Sequence, residues 1–183
     1  MIIFDLDGTL ADCEHRRHFV DPNKNWEINH KWIDLGTGAT HLGIALGNGE
    51  YRLWQPEWKS FYEACDKDGI IIPCVDTFRL LSRKYECQIW SGRCESVKEK
   101  TVQWLYECWP NFMSKEMYAQ IIKMRSIGDN TPDADLKEMW LHDAVILEGK
   151  KIDFVFDSDP ESIKMWRRRG IFVFNCCQHD EEF

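Results

Sequence analysis

Five short apolar runs, each parted from the next by a helical pattern, set the strongest limit on what this chain can fold into. The runs are Met1 to Phe4, "CQIWS" (87 to 91), Ala119 to Met124, "IDFVF" (152 to 156) and "IFVFN" (171 to 175). Between them, Pro73 to Tyr85 carries apolar residues at helical spacing (Val75, Phe78, Leu81, Tyr85), and Glu95 to Trp109 does the same with Val97, Thr101, Trp104, Leu105 and Cys108. Asp133 to Leu141 and Pro160 to Arg169 also read as helices. Runs of this length suit buried strands, and strands that alternate with helices imply βαβ units. The expected fold is therefore α/β, a Rossmann-like parallel sheet with helices on both faces. In such sheets active sites form outside the carboxyl ends of the strands.

Those strand ends carry chemistry. Met1 to Phe4 leads into "DLDGT", which sets Asp5 and Asp7 two residues apart with Gly8 and Thr9 behind them. An isolated D-x-D is more often a turn, but this one has company. "SGR" (91 to 93) follows the second run, Lys137 lies in the helix after "GDNTPDAD", and "DSD" (157 to 159) follows the fourth run. Acid, hydroxyl and cation thus converge on one rim, where one carboxylate could attack and its neighbour could move protons. Gly8 permits a tight exit from the strand, and the Thr9 hydroxyl can hold the loop.

Composition narrows the partners. The 183 residues suffice for one ordinary domain with a small appended lobe, and a hydrophobic fraction of 44% supports a packed core. A net charge of -8 argues against coating of long nucleic acid but permits a small phosphorylated ligand or a strand end at a local basic site. No signal peptide or membrane span is legible, so a cytoplasmic location without membrane contact is expected. The eight cysteines read as reduced thiols, and His15, His18, His30 and His41 show no metal-ligand spacing.

Residues 20–56 break the alternation. "GTGATHLGIALGNG" (36 to 49) is glycine-rich and surrounded by Trp26, Trp32, Tyr51 and Trp54, so a cap-like insertion with its own packing is expected. The domain division expected from this is a core of 1–19 and 57–183 with 20–56 inserted. The glycines form no P-loop, because Ile44 stands where the lysine would be.

The order D-x-D-G-T, Ser, Lys and a final acidic motif resembles the haloacid dehalogenase (HAD) superfamily of phosphotransferases. That resemblance implies Asp5 as nucleophile, Asp7 as general acid and base, Ser91 as a hydrogen-bond donor to the phosphoryl group and Lys137 as its counter-charge. It also implies Mg2+ held by Asp5, Asp157 and the main-chain carbonyl of Asp7. A longer similarity, through "SGRCESVKEKTVQWL", "MRSIGDNTPDADLKEMW" and "FDSDPESIKMWRRRGIFVFNC", is to the phosphatase domain of bacteriophage-type polynucleotide kinase-phosphatases. It implies removal of 3′-phosphates from polynucleotide ends or 3′-nucleotides, with Arg16, Gly92, Arg93 and Arg125 joining Ser91 in substrate binding. Arg125 could instead simply pair with Asp129, and "RRR" (167 to 169) reads as a solvated helix end. Ser158 departs from the two adjacent aspartates of that family, with Asp159 one position later. With no P-loop, a phosphatase without the kinase is expected. Two other readings stay open: a phosphatase for free 5′-nucleotides or other small phosphomonoesters, and a non-catalytic binding module, against which the intact set of polar residues speaks.

Overall fold

The computed structural model describes residues 1–21, 24, 30–34, 40–46 and 50–177. They fall into two compact units, Met1–Cys13 with Cys65–Phe183, and Glu14–Ala64. The second unit thus begins before and ends after the expected 20–56. In chain order it follows strands β1 (Ile2–Asp5) and β2 (Ala11–Asp12) of the first unit.

The second unit opens on a 3₁₀ segment, Glu14–Phe19, and contains an antiparallel sheet of β3 (His30–Asp34), β4 (Thr40–Leu46) and β5 (Glu50–Leu53). Helix α1 (Trp58–Glu63) closes it. Trp26 and parts of the glycine-rich segment lie outside the described residues, as do the side chains of Trp32 and Tyr51, so the expected packing of those rings does too. Trp58 is half exposed and lies against Phe61 and Tyr62.

The first unit continues with β6 (Gly69–Ile70), α2 (Ile72–Leu81), β7 (Cys87–Cys94), α3 (Lys98–Cys108), α4 (Lys115–Ile121) and β8 (Ile122–Arg125). Then come α5 (Asp133–His142), β9 (Phe154–Asp157), α6 (Pro160–Arg168) and β10 (Val173–Asn175). Five strands form a parallel sheet in the order β10-β9-β1-β7-β8. The α/β expectation holds. The expected strand over 119–124 is half helix: Ser114 accepts a hydrogen bond from the Met117 amide and caps α4, whose last turn takes Ala119 to Ile121 before extended backbone begins at Ile122.

Strand β1 is buried along its whole length, as a central parallel strand must be. On one face Phe4 stacks on Phe156 at 4.4 Å and meets Phe78 of α2 edge-on at 5.2 Å. On the other, Trp90 contacts Trp140 of α5 and Trp166 of α6, with ring centroids 5.8 and 5.9 Å apart. Burying rings of this size contributes about 1.5–3 kcal/mol each. Pro73 and Pro160 stand in the first turns of α2 and α6, where their missing N–H costs nothing. Among the described residues no helix is long and apolar enough to cross a membrane.

Candidate active site

The strand order places β1 between β7 and β9, so the chain leaves it in both directions across the sheet and a crevice opens at its carboxyl end. Asp5 is paired with Trp90, one residue before Ser91, and Phe4 with Phe156, one residue before Asp157. Asp5, Ser91 and Asp157 are therefore neighbours by register. The chain turns sharply after Asp5: the amides of Leu10 and Ala11 both donate to the Leu6 carbonyl, and Gly8 adopts φ +81°. A Cβ on Gly8 would also come within 2.5 Å of Ser158 Oγ, so the position excludes a side chain twice over.

Around Asp5 the polar groups are buried and paired. Lys137 reaches from α5 to donate to Asp5 Oδ1 at 3.0 Å and to Asp157 Oδ2 at 2.8 Å. Thr9 donates to the other Asp5 oxygen at 3.3 Å. Asp157 also accepts from Trp166 Nε1 at 2.9 Å and from the Asp159 amide at 3.0 Å. Burial pushes the Asp5 carboxyl well above its ordinary value, with Lys137 opposing and Asp157 adding to the effect. Burial works against the charge of Lys137, but Asp157 and Asp5 together hold its affinity for the proton above the ordinary lysine value. Two buried carboxylates face one ammonium, so with both ionised one negative charge stands uncompensated here, which adds to burial in holding the proton more tightly on Asp5.

Asp7 is held differently. Arg93 Nε donates to both of its carboxylate oxygens at 3.1 Å, and Nη2 donates to Oδ1 at 2.5 Å. The Asp7 main-chain carbonyl accepts from Ser158 Oγ at 3.1 Å. Ser91 Oγ accepts from the Arg93 amide at 3.2 Å. Arg125 sits nearby on β8, where Nε donates to the Gly92 carbonyl at 2.9 Å and the Nη groups donate to the Thr131 carbonyl and the Asp133 carboxylate. Asp129 lies 4.0 Å from it, so the stronger partner is Asp133, four residues further on.

The structure therefore gathers Asp5, Asp7, Ser91, Gly92, Arg93, Arg125, Lys137 and Asp157 in one unit. Arg16 belongs to the other unit, where it is buried, donates to the Phe61 carbonyl at 3.1 Å and lies 4.0 Å over the Phe61 ring. Asp159 caps α6 by accepting from the Ser162 amide at 2.7 Å. Arg168 and Arg169 pair with Glu138 on the surface, in keeping with a solvated helix end. Asp68, Asp133 and Trp166 were not legible as site residues. Asp68 is reached through a partner 25 residues away, Asp133 and Trp166 through partners 8 and 9 residues away, and the one signal available was the D-x-x-x-K spacing of Asp133 and Lys137 on a single helix face.

Gly92 matters for space rather than for backbone freedom. A Cβ there would fall 2.2 Å from Asp133 Oδ2, so the Asp133 carboxylate would have to leave Arg125. Gly92→Ala is expected to cost about 1–3 kcal/mol as an overpacked, unpaired site. A thermal unfolding curve that matched the parent within a degree would contradict this.

A magnesium ion can be tested against the donors present. Asp5, Asp157 and the Asp7 carbonyl offer hard oxygens beside uncompensated negative charge, which fits an ion that takes one or two carboxylates and keeps several waters. Among the described residues no group of three or more His, Cys, Asp or Glu side chains is placed to hold a metal, which excludes a side-chain cage but not this sparser set.

A five-stranded parallel sheet with helices on both faces and aspartates at the end of its central strand defines a Rossmann-like α/β domain. Residues 58–181 match the family described as polynucleotide kinase PNKP phosphatase domain, and the chain belongs to that family of HAD phosphatases. The matched segment holds Ser91, Arg93, Arg125, Lys137 and Asp157, while Asp5 and Asp7 precede it. Among solved structures, "Structure of the Pnkp1/Rnl/Hen1 RNA repair complex" contains a chain with TM-score 0.54 and 19% identity, covering 95% of this chain and 41% of that one. "Structure of Pnkp1/Rnl/Hen1 complex" gives TM-score 0.54 and 20% identity, with 95% and 44% covered. Identities this low bear on the fold alone, and the present chain spans less than half the length of those chains. No curated protein matches it.

Proposed function

We propose that the protein is a magnesium-dependent phosphomonoesterase that forms an aspartyl-phosphate on Asp5 and removes 3′-phosphates from polynucleotide ends or 3′-nucleotides. The observation that carries this reading is the Asp5–Lys137–Asp157 chain at the end of β1, with Asp7 two residues on and held separately by Arg93. One carboxylate is thereby set for attack, while a second, held by Arg93, would serve proton transfer.

In this reading an Asp5 oxygen attacks phosphorus and the bond to the leaving oxygen breaks, with Asp7 donating the proton that the departing alkoxide needs. Asp7 then takes a proton from the water that hydrolyses the acyl-phosphate, which returns both carboxylates to their starting state. Lys137 would offset the charge that builds on the phosphoryl oxygens, and the Ser91 hydroxyl would donate to them. A magnesium ion bound by Asp5, Asp157 and the Asp7 carbonyl would supply Lewis-acid polarisation and screen the approach of two anions. The family supports a phosphatase, and the origin of the fold neighbours in RNA repair complexes supports a nucleic-acid end as substrate. The net charge of -8 favours the second reading, a small phosphomonoester.

A substrate panel separates them. With magnesium, phosphate release is expected from 3′-mononucleotides and 3′-phosphorylated oligonucleotides in preference to 5′-mononucleotides, and a chelator should silence it. Preference for 5′-nucleotides would select the second reading, and no release from any substrate would reject phosphatase chemistry.

A further inference from the structure

Arg93 is enclosed in a way that a phosphate ligand need not be. Its side chain is 0% exposed, and its donors are already directed: Nε and Nη2 to Asp7, Nη2 also to Asp68, and Nη1 to Thr101 Oγ1 at 3.4 Å. Asp68 is equally closed, with a side chain 0% exposed, whereas Asp7 keeps 23% of its side chain open. Asp68 is itself fixed from behind. It follows the 3₁₀ turn Cys65–Lys67, its amide donates to the Cys65 carbonyl at 3.4 Å, and its carbonyl accepts from Trp104 Nε1 at 2.9 Å. The indole of Trp104 lies beside the guanidinium, 5.8 Å from ring centroid to Cζ.

We infer that Asp68 is a positioning residue for Asp7, acting through Arg93, and that Arg93 serves as the arm between two carboxylates rather than as a phosphate ligand. This rests on the phosphatase reading above. A planar guanidinium offers donors on separate edges, so one carboxylate can fix its orientation while another is held in a fork. Asp7 sits on a loop, and a proton donor must stay within hydrogen-bond reach of the leaving oxygen through the transition state. Asp68, with its side chain closed off, presents no surface to a substrate. It takes the second N–H of the Nη2 group that also serves Asp7, so that the fork presented to Asp7 cannot swing away.

The test exploits leaving groups. kcat/KM covers only the steps up to departure of the leaving group, and an aryl phosphate such as p-nitrophenyl phosphate needs little protonation there, whereas a nucleoside 3′-phosphate needs it fully. Asp68→Asn, which keeps the shape and removes the charge, is expected to lower kcat/KM for the nucleotide by about 10²-fold and for the aryl ester by less than about 10-fold. Asp68→Asn should add little to the loss on the nucleotide when Asp7 is already Asn, because both changes act on one group. Arg93→Lys, which cannot span both carboxylates, should give the same split and serves if Asp68→Asn fails to fold. Equal losses on the two substrates, or a rise in KM alone, would overturn the inference while leaving the phosphatase reading intact. A parent protein that released phosphate from neither substrate would overturn both.

Discussion

Asp5→Asn is expected to abolish turnover, a loss on the order of 10⁴-fold or more, because an amide cannot form the acyl-phosphate on which the proposed cycle depends. The same change should not harm the fold. Asp5 is a desolvated carboxylate whose burial disfavours its charge, and Lys137 keeps a second partner in Asp157 at 2.8 Å. Asparagine removes the charge, keeps Oδ1 as an acceptor for Lys137, sets an Nδ2 donor opposite the Thr9 hydroxyl, which can accept, and should leave the melting temperature unchanged or raised. Activity and stability are thus expected to move independently. A phosphate-release assay beside a thermal unfolding curve checks both, and near-parental activity in Asp5→Asn would end the nucleophile assignment.

Lys137→Met should damage both properties together. Methionine fills a similar volume, so no large cavity arises, but Asp5 and Asp157 lose the ammonium that lies between them. Removing one partner of a buried ionic cluster leaves uncompensated charge and costs about 3–5 kcal/mol. In a domain of this size that lowers the melting temperature by roughly 10 °C. Catalysis should fall by about 10²–10³-fold, since a preorganised cation is missing where phosphoryl charge develops. If the two carboxylates hold magnesium, the ion should raise the melting temperature of Lys137→Met more than that of the parent, a readout independent of turnover. An unfolding curve identical to the parent's would show that the lysine contributes no net stability, and the charge argument for the site would fall with it.

Both predictions depend on residues that were legible before the fold was. Asp5, Asp7, Ser91, Lys137 and Asp157 stand at or just beyond apolar runs, or in the helix after one. Parallel strands buried on both faces are apolar throughout, so the point where the run ends in acid is easy to see. Arg93 and Arg125 were also singled out, yet the pairing of Arg93 with Asp7 was not, nor were their partners Asp68 and Asp133. The Arg93–Asp7 contact spans 86 residues and the Arg93–Asp68 contact 25, and no local spacing rule reaches across such distances. The same holds for Trp166 and Asp157: an indole in the helix after β9 reads as core by its spacing, and as core it packs on Trp90, while its N–H turns back to a carboxylate nine residues earlier.

The sequence by itself determined the alternation of strand and helix, the parallel sheet and the end of that sheet where the proposed site residues stand. Hydrophobic period and strand-end residue type are local properties, and both are written residue by residue. Tertiary structure alone decided which charges face each other: Lys137 between Asp5 and Asp157, Arg93 between Asp7 and Asp68, and Arg125 on Asp133 as well as, at longer range, on the expected Asp129. An ion pair is specified by where two elements come to rest in the sheet order, and a buried charge takes the partner that packing brings within reach. The strand order β10-β9-β1-β7-β8, which no single segment encodes, is what makes those partners neighbours.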